Sequence, residues 1–129
     1  MVALLLTLAT PSGSRLAKDQ PHVGFGAFLA ERDHAYLVDD IGFNWLVWPL
    51  QWSGAEPFEG VYDWQGLDEL LDAAETLGLK VILRVDTAPE WAITPGGEGP
   101  PYKLEEFADF MFALASHCAG RVSGYVIWN

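Results

Sequence analysis

Apolar and polar positions along the chain fall into two alternating patterns. Short, nearly continuous apolar runs occur at His22–Phe28 (HVGFGAF), Asn44–Leu50 (NWLVWPL), Lys80–Val85 (KVILRV) and Val122–Trp128 (VSGYVIW). Runs of this length and continuity suit strands buried on both faces, as in a parallel sheet. Between them, apolar residues recur at helical spacing. Leu29–Ile41 carries Leu37, Val38 and Ile41 on one side; a second stretch carries Leu67, Leu70, Leu71, Ala74 and Leu77; a third, Leu104–Ala119, turns Phe107, Phe110, Met111, Leu114, Ala115 and Cys118 inward. Gly42, Gly78 and Gly120 stand where each helix should end, and Asp63 is placed to cap the second. Pro49 is expected to stop the second strand's ladder. Gln51–Trp64 and Asp86–Pro101, rich in glycine, proline and acids, read as loops at the ends of strands two and three.

The predicted order is strand–helix three times and then a strand, which implies an α/β fold with a parallel sheet and right-handed crossovers. Two architectures fit: a doubly wound open sheet, or part of an eight-stranded (β/α) TIM barrel. No G-x-G-x-x-G follows the first strand, so a dinucleotide-binding sheet loses support. A complete barrel takes roughly 250 residues. Four strands and three helices in 129 residues make about half of one.

Composition narrows the partner more than the fold. Half of the residues are hydrophobic and 13% are aromatic, enough for a packed core. A net charge of −11 leaves no basic footprint for nucleic acid or an anionic membrane. Cys118 is the only cysteine, so an internal disulfide is impossible, and neither cysteines nor histidines have metal-ligand spacing. His22, His34 and His117 form no motif and read as structural or surface residues. No metal or organic cofactor is implied.

Residues 1–21 stand apart. Met1–Thr10 (MVALLLTLAT) is too short for a membrane span, which needs roughly 20 residues. It resembles the apolar core of a secretory signal followed by small residues, without the positively charged leader. A clipped signal, implying a secreted or surface-attached protein, and a short element of the fold both remain open. Ser14–Pro21 reads as a linker into the domain at 22–129.

In a barrel the working residues sit at the C-terminal ends of strands. Those positions hold Trp48, Gln51 and Trp52 after strand two; Arg84, Asp86, Glu90 and Trp91 after strand three; and Trp128 and Asn129 after strand four. Any single tryptophan is commonly a large core residue, but four near strand ends beside amides, carboxylates and an arginine suit a carbohydrate. Sugar C–H faces stack on flat rings while hydroxyls need fixed donors and acceptors. Trp64, beside Tyr62 and Asp63 at a helix start, is better placed to pin a loop. Arg84, on an otherwise apolar strand, needs a buried partner or a functional role. Asp86 and Glu90 read as loop carboxylates, usually solvated.

Here a resemblance becomes specific. Trp45–Trp52, the Glu56-Pro-Phe-Glu-Gly-Val-Tyr-Asp-Trp64 string before a helix, Leu79–Arg84, Ala88-Pro-Glu-Trp91 and Gly124-Tyr-Val-Ile-Trp-Asn129 together resemble the first half of a retaining glycoside hydrolase of the large (β/α)8 clan, nearest to families 39 and 5. The resemblance implies hydrolysis of O-glycosidic bonds in a poly- or oligosaccharide. It places Asn129 on the sugar 2-hydroxyl and Arg84 in ordering the sugar site or the nucleophile. Trp48, Trp52, Trp91 and Trp128 then become substrate-binding candidates. It also implies that the acid/base Glu follows Asn129 and that the nucleophile lies on a later strand. The chain alone is therefore expected to be inactive and marginally soluble, with unpaired edges open to self-association. The alternative is a non-catalytic carbohydrate-binding half-barrel, completed by a second copy.

Overall fold

The computed structural model describes residues 26–28, 40, 42–93, 101 and 104–128. The expected apolar leader, the linker, most of the first predicted helix and Asn129 lie outside them. The described elements, in chain order, are β1 (Gly26–Phe28), β2 (Trp45–Gln51), α1 (Trp52–Ala55), α2 (Gln65–Leu77), β3 (Lys80–Asp86), a 3-10 turn at Glu90–Ala92, α3 (Leu104–His117) and β4 (Gly124–Ile127).

All four strands are parallel, and their spatial order is β1-β2-β3-β4. That order separates the two architectures left open by the pattern of elements. A doubly wound sheet reverses direction at a switch point, so its first four strands do not lie side by side in chain order. Strands laid down in sequence are what a (β/α) barrel produces.

Strand register decides which residues face which way. Leu46, Trp48 and Leu50 of β2 pair with Val81, Leu83 and Val85 of β3, and Leu83 and Val85 pair with Tyr125 and Ile127 of β4. Val81, Leu83 and Val85 are buried in one cluster with Leu67, Leu71 and Ala74 of α2 and Phe110 and Leu114 of α3. This is the helix-covered face of the sheet, and each fully buried leucine there contributes about 1.5–3 kcal/mol. The alternate residues, Trp45, Val47, Pro49 and Gln51 on β2 and Lys80, Ile82, Arg84 and Asp86 on β3, occupy the opposite face. At its N-terminal end Lys80 Nζ lies 5.1 Å from the Trp45 ring centroid, a cation–π contact that gives this lysine a partner beside an apolar strand.

α2 ends where Gly78 predicts, whereas α3 ends at His117, two residues before the expected Ala119. Gly78 adopts φ 65° and its N–H reaches the carbonyls of Ala74 and Glu75. Asp63 Oδ1 accepts from the Gln65 N–H at 3.0 Å, near the expected cap. Three further expectations change. β2 continues through Pro49 to Gln51; β1 pairs only as far as Val47, so at Pro49 the strand has a described neighbour on one side only, where a missing donor is tolerated. β3 extends one residue, to Asp86, because Asp86 pairs with Gln51. Ala115 is exposed, whereas Phe110, Leu114 and Cys118 are buried.

Candidate active site

The C-terminal ends of β2 and β3 meet the loop before α2 in an open cleft of ≈ 930 Å³. Gln51, Arg84, Asp86 and Thr87 are its polar lining at the strand ends, and Asp63, Gln65 and Glu69 line it from the loop and start of α2. Gln51 and Asp86 are direct register partners, so their side chains leave the sheet on the same side. Arg84 Nη2 lies 2.7 Å from Asp86 Oδ2, with side-chain exposures of 26% and 20%. The other oxygen, Asp86 Oδ1, accepts from the Thr87 hydroxyl at 3.0 Å. Arg84 thus has the partner its apolar strand demands.

Among the described residues, two non-glycine residues have left-handed backbone, Thr87 (φ 54°) and Trp128 (φ 58°). They follow the ends of adjacent strands. For a β-branched residue such as threonine this region is a true outlier, costing about 1–3 kcal/mol. The conformation is held by backbone bonds: Ser53 N–H donates to the Thr87 carbonyl and Trp128 N–H to the Val85 carbonyl, both at 2.9 Å. Such strain gathers at functional sites, here at the same end of the sheet as the cleft.

The tryptophans separate into different roles. Trp52 is fully buried; it contacts Trp91 edge-on at 5.5 Å and stacks on Phe110 at 5.4 Å. Its placement among sugar-stacking residues is corrected: α1 starts at Trp52 and carries the ring into the core, with no face left for a ligand. Trp48 borders the cleft but shares the helix-covered side of β2 with Leu46 and Leu50 and packs on the core, so its ring is mainly structural. Trp91 is half-buried, and its Nε1–H donates to the Glu56 carbonyl at 3.3 Å. Trp128 is half-buried just past β4. Trp64 pins the loop as expected, stacked between Tyr62 and His117 with ring centroids 5.1 Å away on each side. His117 in turn bonds Asp68 Oδ1 at 2.7 Å, joining α3 to α2. Glu90 is exposed in the 3-10 turn.

Glu56 was missed in the sequence. It is 3% exposed, and its carboxylate accepts from Trp52 Nε1 and from the Gly60 N–H, each at 2.7 Å. With its carbonyl on Trp91, it ties the loop after β2 to the loop after β3. The signal was its place at the head of the E-P-F-E-G string, beside a tryptophan four residues earlier. Among the described residues, no group of three or more His, Cys, Asp or Glu could hold a metal ion, and no helix is long and apolar enough to cross a membrane.

Parallel strands in chain order, with polar residues gathered where they end, define the barrel class to which many glycosidases belong. The chain belongs to glycoside hydrolase family 42, the β-galactosidase family, whose model matches residues 31–98. A β-galactosidase from Arthrobacter sp. is 30% identical over a region covering 66% of this chain and 14% of that protein. A family 39 glycoside hydrolase from Bacteroides cellulosilyticus WH2 has a similar structure, at TM-score 0.68 and 23% identity, covering 81% of this chain and 24% of that one. Xylanase 10B from Thermotoga petrophila RKU-1 is similar at TM-score 0.59 and 22% identity, covering 79% and 34%. The resemblance to families 39 and 5 is thereby refined to family 42, with a family 39 enzyme among the structural neighbours. The chain spans about a seventh of the β-galactosidase and about a quarter of the family 39 enzyme.

Proposed function

We propose that the protein to which this chain belongs hydrolyses β-glycosides, with β-galactosides as the first substrates to test. The observation that carries this reading is the polar cleft wall of Gln51, Arg84 and Asp86 at the C-terminal strand ends, in a chain of the β-galactosidase family. Arg84, Trp91, Trp128 and Asn129 are its sugar-contacting residues, with Trp48 at the border. Retaining cleavage needs two carboxyl groups roughly 5–5.5 Å apart on opposite sides of the bond, one to protonate the leaving oxygen and one to attack. Asp86 and Glu90 come from one strand end and its following turn, so they do not face each other across a barrel mouth. The reading assigns the acid/base and the nucleophile to the rest of the protein. Its role would be breakdown of poly- or oligosaccharide outside the cell. No cofactor enters the chemistry.

The test is turnover of 4-nitrophenyl β-galactoside by the protein with its full barrel. Activity lost on replacing either of the two carboxylates assigned to the rest of the protein supports the reading; a folded full-length protein with no turnover of galactoside, glucoside or xyloside refutes it.

A further inference from the structure

We propose that Asp86 is a specificity-determining residue, a carboxylate held ready to accept a hydrogen bond from one hydroxyl of the bound sugar. The proposal rests on the glycosidase reading above and deepens it. Four observations carry it. First, Asp86 is the last residue of β3 and not part of a loop, so the sheet sets its direction; it shares the face opposite the helices with Arg84 and Gln51. Second, each carboxylate oxygen has one internal partner, Oδ2 from Arg84 and Oδ1 from the Thr87 hydroxyl. Two such bonds fix the rotation of the carboxylate about its own axis, while a carboxylate has about four acceptor sites, so each oxygen keeps capacity for another donor.

Third, the side chain is neither enclosed nor freely solvated; it lines the cleft with Gln51, whose amide offers a donor and an acceptor beside it. A structural ion pair would need no such opening. Fourth, the left-handed backbone of Thr87 is what turns its hydroxyl back onto Asp86, and the Ser53 N–H holds that turn through the Thr87 carbonyl. A fixed anionic acceptor next to an amide suits a sugar hydroxyl, because bonds to an ionised acceptor are the stronger ones. A site built to bond a hydroxyl rejects an analogue that lacks it, because the acceptor, covered by the bound sugar, is then left without that donor.

The test uses the full-length protein and its Asp86→Ala and Asp86→Asn variants, assayed on an aryl β-galactoside and its monodeoxy analogues. Thermal unfolding confirms that each variant is folded, and the near-isosteric Asp86→Asn guards against collapse of the Ala variant. The unaltered protein should lose at least about 100-fold in kcat/KM on one deoxy substrate. Asp86→Ala should lose a similar factor on the parent sugar and show less than about threefold difference between parent and that analogue. Asp86→Asn should fall between. If Asp86→Ala instead lowers kcat/KM by the same factor on the parent and every analogue, Asp86 acts only through Arg84 and the proposal is overturned. An unaltered protein with no glycosidase activity removes the reading beneath it; an active protein indifferent to Asp86→Ala overturns this proposal alone.

Discussion

The indole N–H of Trp52 donates to the carboxylate of Glu56 at 2.7 Å, and both residues lie inside the protein. A buried carboxylate is costly unless its oxygens are satisfied. Here the Gly60 N–H satisfies the second, closing the E-P-F-E-G loop onto the core.

Glu56→Gln tests that arrangement. Both partners of Glu56 are donors, so a glutamine must turn its own NH₂ toward one of them. We expect a loss of about 2–3 kcal/mol in urea unfolding of the folded protein, from one buried donor left unmade and one charge-assisted bond lost. A change under about 0.5 kcal/mol would mean that the carboxylate does not hold the loop.

Trp52→Ala should cost about 3–5 kcal/mol, the usual range for removing a large buried aromatic. Trp91→Ala, at a half-buried ring, should cost less in stability and more in glycoside KM. Equal stability losses would contradict the difference in burial between the two rings.

Cys118, buried just after α3, should resist labelling. Burial is the largest cause that pushes its thiol up, followed by the negative charge of Asp68; Arg121 opposes them, and the result is about 11 against an ordinary 9.0. The thiolate is the reactive form, so a disulfide reagent at about pH 8 should modify Cys118 only as fast as the protein unfolds. The linkage has a definite sign. The unfolded thiol ionises first, near 9, while the folded one keeps its proton until about 11, so this group's contribution is constant below pH 9 and stability falls as pH rises from 9 to 11. Rapid labelling of the native protein would contradict the burial.

Much of the fold was legible because its strands are nearly continuous apolar runs and its helices are amphipathic with glycine ends. Lys80–Val85 and Leu67–Leu77 could be placed from spacing alone, and Gly78 stops its helix with the left-handed turn the sequence implies. What was not legible depends on pairing or on rotation about an axis. Asp86 read as loop because nothing local shows that Gln51 pairs with it. Trp52 read as cleft because the turn from β2 into α1, which rotates it inward, is decided by the core it enters. Glu56 was not singled out, because its two donors come from a tryptophan and a backbone amide that only the folded loop brings together.

At the edge of the sheet, Val126 and Ile127 of β4 are 43% and 52% exposed, although Val85, the β3 partner of Ile127, is fully buried. The barrel relatives have further strands, and covering this edge with them should raise stability. We expect the 129-residue chain alone to aggregate at concentrations where the full-length protein stays dispersed, as measured by light scattering. A stable monomer of the short chain would contradict this.

The most direct measurement compares 4-nitrophenyl β-galactoside hydrolysis by the 129-residue chain and by the full-length protein, purified side by side. We expect turnover from the full-length protein only, because the proposed reading gives this chain sugar-binding groups and assigns the two reacting carboxylates to the remainder. Turnover by the 129-residue chain alone, or none on any aryl glycoside by a folded full-length protein, would contradict it.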